Sequence, residues 1–259
     1  MGKIVSIHSF RGGTGKSNTT ANLAAQAALA DKRVGVVDTD IQSPGIHVLF
    51  GLDETKMGKT LNDFLHNKCT IGEVAFSVGE KAADSEGRAR LAGKKLWLFP
   101  SSIRGKEISM ILREGYDVNR LNEGLQTLMK ELQLDYLFID THPGLNEETL
   151  LSIAISDILL LILRPDNQDF QGTAVTVDIA RSLDVPNLLL MVNKALPKYD
   201  PADVRTQVEE RFGAKVAGVL PLSFDLAENA SRDLFSLRFP DHEWSRALRG
   251  VAETVLAVR

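Results

Sequence analysis

The feature that most constrains this chain is a glycine-rich turn at residues 11–18, with the sequence Arg-Gly-Gly-Thr-Gly-Lys-Ser-Asn. An apolar run at residues 4–7 precedes the turn and predicts a buried strand, and an alanine-rich run at residues 19–30 predicts a helix. Glycines let backbone N–H groups turn inward onto phosphate oxygens, and the helix N-terminus adds the positive end of its dipole. The spacing therefore predicts a nucleotide phosphate site, with Lys16 on the β- and γ-phosphates and the Ser17 hydroxyl on Mg²⁺.

Two carboxylates follow the next apolar run. Residues 33–37 predict a second buried strand, and the chain then reads Asp38-Thr39-Asp40. Ligands of an open parallel sheet bind at the carboxyl ends of its strands, and phosphoryl transfer needs charge neutralisation and an oriented water. The pair therefore fits the same site, although a pair of capping aspartates on a loop is the alternative. Proline and glycine within residues 41–45 predict a mobile segment.

A third carboxylate lies after another apolar run. Residues 136–139 predict a buried strand that leads into Asp140, Thr141, His142 and a Pro-Gly turn. A histidine beside a phosphate site is a candidate general base, but a lone histidine on a loop is more often structural. We favour the structural interpretation of His142.

Together these motifs resemble the ParA/MinD family of ATPases, whose deviant Walker A motif reads Lys-Gly-Gly-x-Gly-Lys-Thr/Ser. This chain has Arg11 at the position of the first lysine, and Phe10 where the general phosphate-loop pattern has glycine. The resemblance covers nearly the whole chain. It implies an α/β fold of the P-loop type, with a doubly wound, mostly parallel sheet covered by helices on both faces.

The resemblance also implies a role for each motif residue. Asp38 would hold the water shell of Mg²⁺, Asp40 would orient the attacking water, and Asp140 would bond Ser17 or a Mg²⁺-bound water. Arg11 would reach the partner's nucleotide across a dimer, since a guanidinium keeps the charge of lysine; a local pairing of Arg11 with a carboxylate is the alternative. The residues expected to bind ATP are Arg11, Gly12, Gly13, Thr14, Gly15, Lys16, Ser17 and Asn18, with Asn193 and Pro221 at the adenine.

The remaining pattern alternates strands with helices and contains no internal repeat or linker, which predicts one domain over residues 1–259. The polar residues 81–90 predict a solvated loop. The amphipathic tail at 244–258 lacks a strongly basic face, so we expect it to pack on the core. Further strands are expected at 95–100, 158–163, 187–192 and 216–220, with helices at 60–65, 104–114, 118–132 and 168–183.

Composition excludes several classes of protein. The net charge of −4 argues against a broadly basic nucleic-acid binder but permits a local basic patch. A single cysteine, Cys69, excludes a disulfide framework and the metal-cluster relatives of the family. The last tyrosine, Tyr199, lies too far from the end for a tyrosine-kinase tail. Without an apolar run of about 18 residues or a signal-type start, we expect a cytoplasmic protein with no membrane insertion.

Two functions fit this resemblance. The first is an ATP-dependent dimerising switch that partitions or positions a cargo, and an adaptor protein would stimulate its hydrolysis of ATP. Its default surface would be nonspecific DNA, which would make the protein nucleoid-associated. The second is a DNA-independent, ATP-gated module that binds a regulatory protein. Candidate DNA contacts are Arg232, Arg238, Arg246 and Arg249 near the C-terminus, or Arg104, Lys106 and Arg120.

Overall fold

The fold is an eight-stranded sheet in a computed structural model that describes residues 2–81 and 84–258. The strands follow the order β3-β4-β2-β5-β1-β6-β7-β8, and every pairing is parallel except that of β3 with β4. The strands are β1 (Lys3–His8), β2 (Val34–Asp38), β3 (Phe76–Ser77), β4 (Leu96–Phe99), β5 (Tyr136–Asp140), β6 (Ile158–Leu163), β7 (Leu188–Ala195) and β8 (Lys215–Pro221).

Helices connect these strands. They are α1 (Lys16–Leu29), α2 (Ile46–Leu49), α3 (Leu61–Leu65), α4 (Val78–Lys81), α5 (Glu86–Ala89), α6 (Gly105–Glu114), α7 (Val118–Glu131), α8 (Glu147–Ala154), α9 (Asn167–Ser182), α10 (Pro201–Phe212), α11 (Phe224–Asn229), α12 (Phe235–Arg238) and α13 (Glu243–Leu256), with one 3₁₀ turn at Gly72–Val74.

The core lies on both faces of the sheet, because alternate side chains of the central strands point to opposite sides. On one face Val5 and Phe138 pack with α1, α12 and α13. On the other face Ile4 and Leu137 pack with α3, α6 and α7, while β6 and β7 pack with α9 and α10. This arrangement confirms the predicted doubly wound, mostly parallel sheet.

Sheet order brings the three predicted motifs together. β5 lies between β1 and β2, and its last residue, Asp140, is in register with Ile7 on one side and Asp38 on the other. The loops that leave β1, β2 and β5 therefore emerge side by side at the carboxyl edge of the sheet, where ligands of such folds bind.

The prediction of a solvated loop at residues 81–90 is wrong at α5, which is helical and buries Arg88, whereas Asp84, Glu86 and Arg90 are exposed as predicted; Ala82 and Ala83 lie outside the described residues. Ser85 caps α5 by accepting from the backbone N–H of Arg88 at 3.2 Å. The Arg88 side chain is buried, and its Nη1 donates to the carbonyls of Leu49 and Arg232 at 3.3 and 2.9 Å. The carboxylates of Asp84 and Asp233, at 3.1 and 3.9 Å, pair with its charge, although the local pattern assigns this arginine to solvent.

The C-terminal helix packs on the core, as expected. Trp244, Leu248, Val251 and Val255 of α13 are buried in the cluster that includes α1. None of the helices within residues 2–81 and 84–258 is long and apolar enough to cross a membrane.

Candidate functional site

The loop between β1 and α1 has the conformation that its glycines permit. Gly13 and Gly15 have φ values of 77° and 97°, in the left-handed region that side chains with a Cβ rarely adopt. Gly15 caps α1 without a side chain, so the first N–H groups of the helix stay available to an anion. Within the chain, the Thr14 hydroxyl donates to Ser9 Oγ at 2.9 Å. The loop is thus held in the form that cradles phosphate.

Two residues near the end of β7 support this loop from outside. Asn193 is buried, its Nδ2 donates to the Thr14 carbonyl at 2.8 Å, and Lys194 Nζ donates to the Gly13 carbonyl at 2.8 Å. A Cβ at Gly15 would lie 2.5 Å from Asn193 Nδ2, so only glycine fits beneath that amide. Asn193 therefore lies at the site, with its amide bonded to the loop. Sequence analysis did not find the support from Lys194.

Lys16 opens α1 with its side chain largely buried. Burial lowers the pKa of Lys16 below its ordinary value, and the carboxylates of Asp140, Asp40 and Asp38 act in the opposite direction. The sheet thus surrounds one ammonium group with the three aspartates that the sequence singled out.

Asp140 is bonded to the first turns of α1. It accepts from the Ser17 side chain and, at 3.1 Å, from Thr20 Oγ1. Burial raises the pKa of Asp140 to about 6, while the Ser17 hydrogen bond and Lys16 oppose the shift. Sequence analysis missed Thr20, although its position four residues after Lys16 places both on one face of α1.

Asp38 is fully buried beside Asp140. Its Oδ1 accepts from the backbone N–H of Asp40 at 3.1 Å, while Oδ2 has no hydrogen-bond partner in the described part of the chain. Burial raises the pKa of Asp38 well above its ordinary value, and the charges of Asp140 and Asp40 raise it further. A buried carboxylate oxygen without a partner indicates that a cation belongs here.

This donor set fits Mg²⁺. Carboxylate and hydroxyl oxygens from Ser17, Asp38 and Asp140 are ligands of the type that this hard cation prefers, directly or through water. Among residues 2–81 and 84–258, no group of three or more His, Cys, Asp or Glu side chains is arranged to hold a metal by itself. Mg²⁺ at this edge would therefore need phosphate and water oxygens as well, which matches its usual coordination with nucleotides.

Asp40 lies on the loop after β2, two residues beyond Asp38. Its Oδ1 accepts from the backbone N–H of Ser43 at 3.1 Å and contacts His142 Nδ1 at 2.7 Å. His142 is thus structurally paired with a site residue, in keeping with the structural interpretation of this histidine.

Arg11 lies at the outer rim of the loop with its side chain 41% exposed. Its Nη1 donates to Gln168 Oε1 on α9, and its Nε is 4.0 Å from Asp169 Oδ1. Asp169 is held more closely by Arg164, through bonds of 2.9 and 3.1 Å from its guanidinium. An exposed contact of this length contributes little to stability, so Arg11 remains free to exchange it for another partner.

The predicted basic residues lie elsewhere on the surface. Arg246 and Arg249 are exposed on α13, whereas Arg232 and Arg238 line a cavity with the acidic Asp225 and Glu228. Arg104 pairs with Glu54 and Glu107, while Arg120 donates to the Phe64 carbonyl and stacks on that ring. Lys106 is exposed, and Pro221 ends β8 in register with Ala195.

The fold and the loop define a P-loop nucleotide-binding protein. A profile of the family described as "AAA domain" matches residues 2–186. The chain therefore belongs to the AAA domain family.

Named relatives refine this assignment. The putative septum site-determining protein MinD of Chlorella vulgaris is 25% identical over 228 residues, 85% of this chain and 72% of that protein. The fold matches MinD of Pyrococcus horikoshii complexed with Mg-ADP, with a TM-score of 0.80, 18% identity and coverage of 98% and 96% of the two chains. It also matches a plasmid partition protein from Borrelia burgdorferi, with a TM-score of 0.71, 18% identity and 98% of both chains. These neighbours support membership of the ParA/MinD group.

One relative belongs to another functional class. The iron–sulfur cluster carrier protein of Rickettsia conorii is 25% identical over 237 residues, 90% of this chain and 65% of that protein. Clusters are held by several thiolates, whereas this chain has only Cys69. Cys69 packs against the cluster that includes α7, and burial raises the pKa of its thiol. One cysteine in a chain is too few for a site that holds a cluster through several thiolates.

The site predicts the effect of removing the Lys16 ammonium group. Lys16→Ala should weaken Mg-ATP binding by more than about 100-fold, because hydrogen bonds to charged groups contribute about 1.5–3 kcal/mol each. Titration calorimetry measures the affinity, with thermal melting to verify folding. Lys32→Ala, at an exposed lysine just beyond α1, is the matched control and should bind like the wild type. Unchanged affinity in Lys16→Ala would contradict the site assignment.

Proposed function

We propose that the protein is a Mg²⁺-dependent ATPase that dimerises around ATP and acts as a switch to position or partition a cargo. The observation that carries this proposal is the set of buried Lys16, Asp38 and Asp140 with the half-buried Ser17 next to a glycine-rich loop, and with Asp40 on the adjacent loop. Relatives and structural neighbours named as septum site-determining and plasmid partition proteins support it.

The roles of the side chains follow from their positions. Lys16 would place its ammonium on the β- and γ-phosphate oxygens and neutralise the charge that develops as the γ-phosphoryl group departs. Asp40 would accept a hydrogen bond from the attacking water and hold it in line. Mg²⁺, when bound through Ser17, Asp38 and Asp140, would neutralise further charge on the phosphates. Phosphoryl transfer requires positioning and charge stabilisation rather than a covalent catalyst.

Asn193 and Pro221 would flank the adenine. Both lie at the ends of neighbouring strands, β7 and β8, on the same edge of the sheet as the phosphate loop. The Asn193 amide donates one hydrogen to the Thr14 carbonyl and accepts one from the backbone N–H of Lys194. It has a second hydrogen and a second lone pair with which it could bind a base edge.

Arg11 would act across the dimer. Its position at the exposed rim, where its contacts are a surface hydrogen bond to Gln168 and a 4.0 Å approach to Asp169, would let the guanidinium exchange these partners for a second copy of the chain. A planar guanidinium suits phosphate oxygens and stays charged in any environment. The competing role is a local one, in which the contact with α9 only shapes the loop.

The surface bound by the ATP dimer would be nonspecific DNA, and an adaptor protein would stimulate hydrolysis and release. Arg246 and Arg249 are the best placed contacts, because both are exposed on one helix and the nearby Arg232 and Arg238 face acidic neighbours. The competing function is a DNA-independent module that binds a regulatory protein when ATP is present.

Removing the Asp40 carboxylate should separate binding from hydrolysis. Asp40→Ala should bind Mg-ATP within about twofold of the wild type but hydrolyse it about 10²–10⁴ times more slowly, the usual effect of losing a catalytic acid–base group. Single-turnover hydrolysis and calorimetry measure the two quantities. Asp241→Ala, at an exposed aspartate before α13, is the control. Hydrolysis at the wild-type rate in Asp40→Ala would show that Asp40 orients no water.

Mixed dimers should reveal whether Arg11 acts in trans. Arg11→Ala and Asp40→Ala protomers should each be inactive alone, whereas a dimer of the two has one site with its own Asp40 and the partner's Arg11. An equal mixture should recover about a quarter of the wild-type rate, since half of the dimers are mixed and each has one complete site.

Arg11→Lys, which restores the family residue, is the control and should remain active when it is tested alone. A mixture that stays inactive, with heterodimers confirmed by native mass spectrometry, would show that Arg11 works within its own chain.

DNA binding separates the two candidate functions. With a non-hydrolysable ATP analogue, fluorescence anisotropy on an unrelated duplex should detect binding whose affinity falls steeply with salt, because phosphate contacts release counterions. Arg246→Ala/Arg249→Ala should weaken this binding, while Arg104→Ala/Lys106→Ala should leave it unchanged. Absent or salt-independent binding would favour the protein-binding module.

A further inference from the structure

The conformation of Asp40 depends on a histidine from another part of the chain. β2 ends at Asp38, so Asp40 lies on a loop outside the sheet ladder. Its carboxylate is held through Oδ1 by the backbone N–H of Ser43, within the same loop, and by His142, 102 residues away. The 2.7 Å separation from His142 Nδ1 is that of a charge-assisted hydrogen bond.

His142 is the better anchored of the two partners. It follows Thr141, whose hydroxyl donates to the Ile7 carbonyl at 2.9 Å and lies 2.8 Å from His8 Nδ1, inside the core. The residue after His142 is Pro143, whose ring fixes its own backbone φ. The His142 side chain is 22% exposed, packed at the rim where the loops after β2 and β5 meet. The loop after β5 therefore presents a fixed donor to the loop after β2.

The direction of this hydrogen bond follows from the acceptor. An ionised carboxylate only accepts, so Nδ1 of His142 carries the hydrogen and donates it to Asp40 Oδ1. Because His142 and Ser43 both donate to Oδ1, a water would bind Asp40 through its other oxygen, Oδ2. The histidine thereby helps to fix the orientation of the carboxylate.

We propose that His142 is the positioning residue of Asp40, holding the carboxylate in the orientation that directs the attacking water. This inference rests on the proposed ATPase function and adds a residue that the family motifs do not assign. In this proposal His142 acts through its hydrogen bond to Asp40 and not on the reacting groups directly. A misplacement of about 1 Å in a group that orients a reactant is enough to cost about 10²-fold in rate.

Three substitutions at one position test this role. In His142→Asn the amide Nδ2 occupies nearly the place of the imidazole Nδ1, so the donor to Asp40 is kept. In His142→Gln the amide is displaced towards the place of Nε2, and in His142→Ala no donor remains. Each variant is measured for affinity towards a non-hydrolysable ATP analogue with Mg²⁺, for single-turnover hydrolysis and for thermal stability, beside Asp40→Ala and the Asp40→Ala/His142→Ala double variant.

We expect His142→Ala to lower the hydrolysis rate by about 10- to 100-fold with nucleotide affinity within about twofold of the wild type. His142→Asn should recover most of the rate, and His142→Gln should not. The double variant should be no slower than Asp40→Ala, because a residue that acts only through Asp40 has no effect once Asp40 is gone.

Several outcomes would overturn the proposal. A wild-type rate in His142→Ala, rescue by glutamine in place of asparagine, or an additional loss in the double variant would each do so, the last two indicating direct action of Nε2. If Asp40→Ala itself hydrolyses ATP normally, the proposed catalytic role of Asp40 fails and this inference fails with it. If Asp40→Ala is slow but His142→Ala is not, only this inference fails.

Discussion

The site depends on the burial of one ammonium group among three carboxylates. Lys16 is held below the glycine-rich loop, and an unpaired charge at that depth would cost several kcal/mol. Asp38, Asp40 and Asp140 supply the compensation, but they exceed what one lysine can neutralise, and the pKa values of Asp38 and Asp140 are raised. A divalent cation would relieve this excess of negative charge, and phosphate and water oxygens would complete its coordination.

Sheet order is what makes this cluster possible. β1, β5 and β2 are adjacent, and the register sets Asp38 beside Asp140 with α1 rising from the end of β1. Because both faces of these strands are covered by helices, the strands themselves cannot move apart without exposing the core. The loops that follow them are held both by packing, as at Ile41, and by hydrogen bonds between loops, as between Asp40 and His142.

Local patterns predicted most of the fold because the central strands are continuous apolar runs and the long helices are periodic. The failures lie where distant partners decide the outcome. Residues 81–90 carry charges typical of a solvated loop, yet Arg88 is buried, because Asp84 and Asp233 pair with its guanidinium and the carbonyls of Leu49 and Arg232 accept its hydrogens. Asn193 also supports the phosphate loop, because its Nδ2 donates to the carbonyl of Thr14, which is distant in the chain.

The sequence by itself predicted the phosphate loop, since Gly13, Gly15, Lys16 and Ser17 lie within five residues of one another. The positive φ values of the two glycines follow from the residue type itself. Only the tertiary structure decided the pairing of Asp40 with His142 and of Arg11 with Gln168. These contacts join residues more than a hundred positions apart. Which side chains meet across such distances is set by strand order and register, and neither is encoded in the spacing of neighbouring residues.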